Sequence, residues 1–439
     1  MSAWLDSGIA DMASSLQGSS ILAIAAQVRA LVAAGQKVCN LTIGDFDPKQ
    51  YPLPPELIDG TYEALVAGHS NYPPPNGIPE LRAAVQHFYR QRAGLDLNLD
   101  RILIAGGARP VLYGAYRAIL NPGEKVIYPV PSWNNNHYAH LCGAVGIELE
   151  VGPEDNFLPT LASIEPHLGD ARLLVINSPL NPSGTLIAQQ TLSDLCDRIV
   201  AENERRKALG TKPLFLVYDQ IYWLLTMGEG KHFNPLTTHP AMADYTILID
   251  GISKCFAATG LRVGWTVGPA KVVDAMSRII GHVGAWAPKA EQVATAKLLL
   301  NDAAVDKYLA FIRDAAGTRL QILHAGLTAL GQQGHPVRAL VPNGSIYLSA
   351  EFALRGMRDG DKVLKTSGDV RTYLLENAGL AVVPFDAFGA HEADDWYRLS
   401  VGAVGVEELK AMLVRLAGAI ARLQKPQAHV CTCGHGHCA

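Results

Sequence analysis

Apolar positions along the chain follow two rhythms. Ile21, Ile24, Val28 and Leu31 recur at helical spacing, with serines before them and Gly35 after, and predict a helix over 21–34. Val38 to Ile43 reads as a strand, and Ile78, Leu81, Val85 and Phe88 mark a second amphipathic helix. Short apolar runs then alternate with helical stretches. The runs fall at 102–105, 126–130, 147–151, 173–177, 214–219, 246–250 and 263–267. Seven such runs, each too short and too uniformly apolar for a half-solvated strand, predict an α/β fold. Its core is a mostly parallel seven-stranded sheet covered by helices on both faces. Asn121-Pro122-Gly123 supplies a turn between helix and strand.

Beyond about 301 the texture changes. A long helical pattern over 303–330, with room for one break, precedes strands at 345–352, 380–384 and 397–401 and a last helix over 406–423. This predicts a smaller α+β domain. The expected division is a large domain over 44–300, a small domain built from 1–43 and 301–425, and a separate tail over 426–439. The 439 residues suffice for two domains, and 49% are apolar, enough for a sizeable core. A net charge of -4 with no long block of like charge argues against a nucleic-acid or membrane surface. The start, Met1-Ser2-Ala3-Trp4, lacks the basic and apolar segments of a signal peptide, and no 18-residue apolar stretch predicts a membrane span. Cys39, Cys142, Cys196 and Cys255 are scattered and read as reduced core residues, which favours the cytoplasm.

Three segments carry candidate chemistry. Ser253-Lys254 stands just past an apolar run, and Arg262, behind Gly260, follows eight residues after the lysine. Upstream lie Asn177-Ser178-Pro179-Leu180-Asn181-Pro182-Ser183-Gly184 and Tyr218-Asp219-Gln220-Ile221-Tyr222. Alone, each has an ordinary reading: a surface lysine, a turn of good turn formers, a capping aspartate. Together, in this order and spacing, they resemble the class I/II aminotransferases of the aspartate aminotransferase-like superfamily. These are fold type I enzymes that use pyridoxal 5'-phosphate. The resemblance runs from about Leu31 to about Leu423.

That resemblance implies an aminotransferase moving an amino group between an α-amino acid and a 2-oxo acid, with Lys254 as the Schiff-base lysine and proton carrier. It implies that Asp219 faces the ring nitrogen of the cofactor, and that Tyr222 and Asn181 face the ring oxygen. Gly107, Ala108 and Arg109, at a helix start after the run 102–105, are expected at the phosphate with Ser253 and Arg262. Trp133 matches an aromatic stacked on the ring. Tyr72, in Asn71-Tyr72-Pro73-Pro74-Pro75-Asn76-Gly77, resembles a tyrosine that reaches the phosphate of a neighbouring subunit, which implies a homodimer with composite sites. Gln220 stands where the family usually has glutamate.

On the substrate side, Arg398 matches the arginine that clamps the α-carboxylate, and Gly44 a glycine lying against the substrate. Trp133 and Asn181 are expected to touch the substrate as well. The loop Ile43-Gly44-Asp45-Phe46-Asp47-Pro48 is shorter than the common family form. No second carboxylate clamp is legible around Arg278, Gly281 and His282. Asn134-Asn135-Asn136-His137 either touches a polar substrate or begins a surface helix. The tail Cys431-Thr432-Cys433-Gly434-His435-Gly436-His437-Cys438 gathers three thiols and two imidazoles, soft ligands for a transition metal. Its spacing matches no standard zinc finger, so it reads as a flexible tail, and no metal is assigned to the site. Two other readings stay open: a different pyridoxal-phosphate enzyme on the same scaffold (a carbon–sulfur lyase, decarboxylase or synthase) and a cofactor-binding regulatory protein.

Overall fold

In a computed structural model of the chain, residues 8–18, 20–391 and 395–425 are described. The Cys/His tail lies outside them. Among the described residues the largest sheet has seven strands: β1 (Ile102–Ala105), β2 (Lys125–Val130), β3 (Val145–Glu150), β4 (Ala171–Asn177), β5 (Phe215–Asp219), β6 (Thr246–Gly251) and β7 (Gly264–Val267). Their order is β1-β7-β6-β5-β4-β2-β3. Every pairing is parallel except those of β7, which runs antiparallel to both neighbours. All seven apolar runs are therefore strands, each within two residues of its expected bounds. The reversal at β7 has a topological cause. Only residues 252–263 separate it from β6, with no crossover helix, so the chain must turn straight back. That turn carries Lys254 and Arg262 across the end of the sheet.

The period of two along each strand sorts its side chains between two cores. Ile102, Ile104, Leu174, Ile176, Leu216 and Leu248 face one way, and Leu103, Ala105, Leu173, Val175, Val217 and Ile247 face the other. Helices α1 (Pro79–Ala93), α2 (Ala108–Ile119), α3 (Gln189–Ala208) and α4 (Ala270–Val283) cover the sheet. Leu81, Val85 and Phe88 of α1 and Leu192 and Ile199 of α3 join the first core, whereas Val111 and Ala115 of α2 and Val273 and Met276 of α4 join the second.

The 31-residue α5 (Asp302–Gln332) is unbroken. It leads into a four-stranded antiparallel sheet of β8 (Val337–Ala339), β9 (Tyr347–Phe352), β10 (Val383–Pro384) and β11 (Trp396–Ser400), ordered β10-β11-β9-β8. Helices α6 (Ser367–Ala378) and α7 (Val406–Arg422) complete this part. Two expectations need correction. The strand over 38–43 shrinks to Cys39–Asn40, paired in parallel with Leu380–Ala381. Beyond it the Asn40 side chain bonds Thr42 through both backbone (3.1 Å) and hydroxyl (2.6 Å) and bends the segment away. The strand over 380–384 divides at Val382, one half joining Cys39–Asn40 and the other β11. A helix at Pro55–Val66, with proline at its start, had no counterpart in the expected elements.

Candidate active site

The carboxyl ends of the parallel strands converge on one crevice, the usual ligand position of an open α/β sheet. Lys254 enters from the short helical turn Ile252–Cys255 that follows β6. Its Nζ donates to the Gly44 carbonyl at 2.6 Å. The rings of Tyr222 and Phe46 stand 5.7 and 5.9 Å from the same nitrogen. Asp219 closes β5, and its Oδ1 accepts from the Ile221 amide at 3.1 Å. Asp219 keeps some solvent contact, yet it lies deep enough that burial raises its carboxyl from 3.8 to about 6, against the Ile221 bond and the Lys254 charge, which lower it. Asn177 ends β4 and ties the neighbouring strands together. Its Nδ2 donates to the Asp219 carbonyl at 2.7 Å, and its Oδ1 accepts from the Asn181 amide at 2.7 Å. The turn is thereby fixed, and the Asn181 side chain points toward the second sheet.

Arg262, Gly107 and Ala108 meet at the start of α2. Gly107 has φ +97°, and a Cβ there would overlap the Arg262 guanidinium. Gly264 is equally tight, since its Cβ would stand 2.7 Å from the Ala108 amide nitrogen. Arg262 donates to the carbonyls of Thr259 (2.7 Å) and Gly106 (2.9 Å). Burial first, then the like charge of Arg109, weakens its hold on its proton; Asp45 opposes both. No side chain caps α2, so its first amides face the crevice unspent. Ser253 is buried, one residue before Lys254. A helix start flanked by two guanidinium groups, with no carboxylate bonded to either among the described residues, is built for an anion.

Arg398 projects from β11 and is 1% exposed. Nη1 donates to Asn181 Oδ1 at 3.1 Å and Nη2 to the Thr42 carbonyl at 2.6 Å, while Nε has no partner. The guanidinium lies between the rings of Tyr347 (4.7 Å) and Phe388 (4.9 Å). Among the described residues no carboxylate pairs with it. A buried, unneutralised fork of this kind calls for a carboxylate ligand. Gly44 joins the two sides. Its carbonyl receives Lys254, and a Cβ on it would lie 2.7 Å from Tyr347 Oη and 3.7 Å from Arg398 Nη1.

Trp133 is half-buried at the crevice, with the Arg109 guanidinium 5.2 Å from its ring. The asparagine run divides its labour. Asn134 begins helix Asn135–Cys142, Asn135 turns inward to Ser132 and Tyr116, and Asn136 is exposed. Tyr72 stands apart, 81% exposed, with its ring edge-on to Trp286 at 5.1 Å. No separate signal in the sequence marks Tyr347, Phe388 or Thr42. Tyr347 sits in a run that reads only as a strand, and Thr42 acts through its carbonyl.

The donor set fits a phosphate-bearing pyridine aldehyde. It offers an anion cradle at one end, a carboxylate deep in the crevice, a phenol and an amide on one flank, and an amine. Such a set on this sheet defines a fold type I pyridoxal-phosphate enzyme. Residues 36–416 match Aminotransferase class I and II, and the chain belongs to that family. It is 30% identical over 420 residues to the aspartate/prephenate aminotransferase of Thermus thermophilus, covering 94% of this chain and 99% of that one. The structure of aspartate aminotransferase from Thermus thermophilus with maleate superposes at a TM-score of 0.83 and 29% identity, covering 94% and 99% of the two chains. The Rhizobium meliloti aspartate aminotransferase gives 0.84 at 28% identity, covering 95% and 99%. The chain is a pyridoxal-phosphate-dependent aminotransferase. Among the described residues no helix is long and apolar enough to cross a membrane.

Proposed function

We propose that the crevice transaminates an acidic α-amino acid with a 2-oxo acid, Lys254 being the residue that carries the cofactor and moves the proton. The carrying observation is the position of Gly44, which touches Lys254 through its carbonyl and faces Arg398 at 3.7 Å from where its Cβ would be. The amine and the carboxylate fork therefore stand on two sides of the same residue, where one amino acid can reach both. When bound, the cofactor supplies an aldehyde and an electron-withdrawing ring. Asp219 holds the ring nitrogen proton, Tyr222 and Asn181 hold the ring oxygen, and Trp133 covers the ring. The backbone at Gly107 and the amides of Ala108 and Arg109, with Ser253 and Arg262, take the phosphate; the Gly107 amide itself donates to the Ala105 carbonyl at 2.7 Å. Arg398 orients the α-carboxylate through a two-pronged hydrogen bond. The Lys254 amine, once free, stands where it can shuttle a proton at the substrate Cα.

Arg109 supports an acidic substrate. Its guanidinium is exposed at the crevice, lies over Trp133 and makes no hydrogen bond or ion pair among the described residues. Relatives carry names that include aspartate and prephenate. The same reading takes residues 44–300 as a large domain and 1–43 with 301–425 as a small one, supported by the two sheets lying within 102–267 and 337–400. It takes the working molecule as a homodimer in which Tyr72 serves the partner's phosphate. Four buried free thiols accord with a cytoplasmic location.

The test mixes the cofactor-loaded enzyme with single amino acids and follows conversion of the cofactor absorption. Aspartate or glutamate should convert it fastest. Arg109→Ala should raise KM for the acidic donor roughly tenfold, about one charge-assisted bond, and leave alanine unchanged. Borohydride reduction should fix the cofactor on the peptide holding Lys254, and its recovery on another lysine would sink the assignment.

A further inference from the structure

We infer that Tyr347 is a positioning residue that sets the hydrogen-bond direction of Tyr222 and supports Arg398 at the same time. It thereby ties the group facing the cofactor's ring oxygen to the group holding the substrate carboxylate. The inference rests on the proposed role of Tyr222.

Tyr347 opens β9, and pairing places it opposite Ser400 while Arg398 lies opposite Ser349. Tyr347 and Arg398 are therefore diagonal neighbours on one face of the sheet. The guanidinium sits 4.7 Å from the Tyr347 ring centre, and the ring is 1% exposed. A cation over an aromatic face in a dry site is held by the ring quadrupole. At the far end of the ring, Tyr347 Oη lies 2.8 Å from Tyr222 Oη, with the two rings edge to face at 5.6 Å. Gly44 closes the third side, where any Cβ would fall 2.7 Å from Tyr347 Oη. The phenol is thus boxed between a cation, a second phenol and a backbone that admits no side chain.

Two phenols in contact leave one question, which of them donates. Each oxygen has one hydrogen. If Tyr222 donated to Tyr347, it would have nothing left to offer a ring oxygen. If Tyr347 donates, the Tyr222 hydrogen is free and its oxygen is already satisfied. The charge of Arg398 decides the direction. It lies over the Tyr347 ring, 4.7 Å from the ring centre. It polarises the Tyr347 hydroxyl toward donation. The resulting chain runs from Tyr347 to Tyr222 to the ring oxygen, each donation strengthening the next. A carboxylate bound at Arg398 neutralises the charge at the head of this chain, so occupancy at the substrate end is felt at the cofactor end.

The test compares Tyr347→Phe, Tyr222→Phe and the double variant, each loaded with cofactor. Phenylalanine keeps the ring under Arg398 and the fit to Gly44, so folding and KM for the amino acid should stay near wild type. The readout is the pH midpoint of the cofactor absorption change. A ring oxygen that receives a weaker hydrogen bond is a poorer anion and holds a neighbouring proton more tightly, so the midpoint should rise. Tyr347→Phe should raise it by about half a unit to one unit, with kcat down roughly threefold to tenfold. The double variant should match Tyr222→Phe alone, because Tyr347 acts only through Tyr222 on this readout. A midpoint that moves in Tyr222→Phe but not in Tyr347→Phe overturns the inference and leaves the Tyr222 role intact. Additive shifts overturn it also. No shift in either variant removes the Tyr222 role and the inference together. Tyr347→Leu, which removes the ring under the guanidinium, should in addition raise KM for the amino acid, and an unchanged KM would contradict the support of Arg398.

Discussion

Two buried carboxyls give this protein an unusual response to pH before any cofactor is bound. Asp219 is raised from 3.8 to about 6 by burial, and Asp250 from 3.8 to about 7 by the same cause. Asp250 accepts from Tyr89 Oη (2.9 Å), Trp223 Nε1 (2.8 Å) and the Gly251 amide (2.7 Å), which partly offset the burial. In both cases the folded value exceeds the unfolded one. The folded chain then keeps a proton that the unfolded chain has released. Stability from each group is full below about pH 4, and is lost as pH rises toward 6 for Asp219 and 7 for Asp250. Urea unfolding of the cofactor-free protein should therefore weaken over that range, and Asp219→Asn should flatten the part below about pH 6. An unchanged slope in that variant would assign the whole effect to Asp250 and other groups. Asp219 was legible in the sequence because it follows an apolar run and precedes Tyr222 at fixed spacing. Asp250 was not, because a buried acid inside a strand end has no local pattern. Tyr347 escaped for a related reason: its partners, Tyr222, Gly44 and Arg398, are each at least fifty residues away in the chain.

At the level of elements, the turn between β6 and β7 does the most to build the site. The seven strands could be read from composition, since strands buried on both faces are continuously apolar. The direction of β7 could not, because pairing sense leaves no trace in a short apolar run. Three glycines make the turn possible. A Cβ on Gly251 would meet the Gly264 backbone at 2.8 Å, one on Gly264 would meet the Ala108 amide nitrogen at 2.7 Å, and one on Gly107 would overlap Arg262. Gly107→Ala should be severe on two counts. Its φ of +97° costs an alanine roughly 1–3 kcal/mol, and the guanidinium must leave the helix start. The expected outcome is a lower melting temperature and a cofactor dissociation constant raised at least tenfold, measured by fluorescence titration. Near wild-type cofactor binding would show that the anion is held elsewhere.

At the level of the whole molecule, several large apolar side chains stand in solvent. Ile58, Tyr62, Leu65 and Val66 of helix Pro55–Val66 are all more than half exposed, as are Tyr72 and Val283. Apolar side chains exposed together on one helix are what an association surface would need. If two copies meet there, Tyr72 can serve a site that is not its own, which accounts for its exposure in one protomer. Mixing Tyr72→Ala and Lys254→Ala under conditions of subunit exchange then gives one whole site per mixed dimer. Activity should recover toward half of wild type per mixed dimer, provided each variant alone is severely impaired. No recovery after confirmed exchange would mean that Tyr72 acts within its own chain or not at all.

The setting of Arg398 has a practical consequence. One backbone carbonyl, a side-chain amide and two aromatic rings surround its charge, and no acid among the described residues pairs with it. A cation left without a counterion in a dry site attracts small carboxylates from the medium, which compete with substrate for it. The enzyme purified in acetate, formate or citrate will carry that solvent ion in place of the amino acid. Apparent affinity will then depend on the buffer: changing acetate for a carboxylate-free amine sulfonate buffer at equal ionic strength should lower KM without altering kcat.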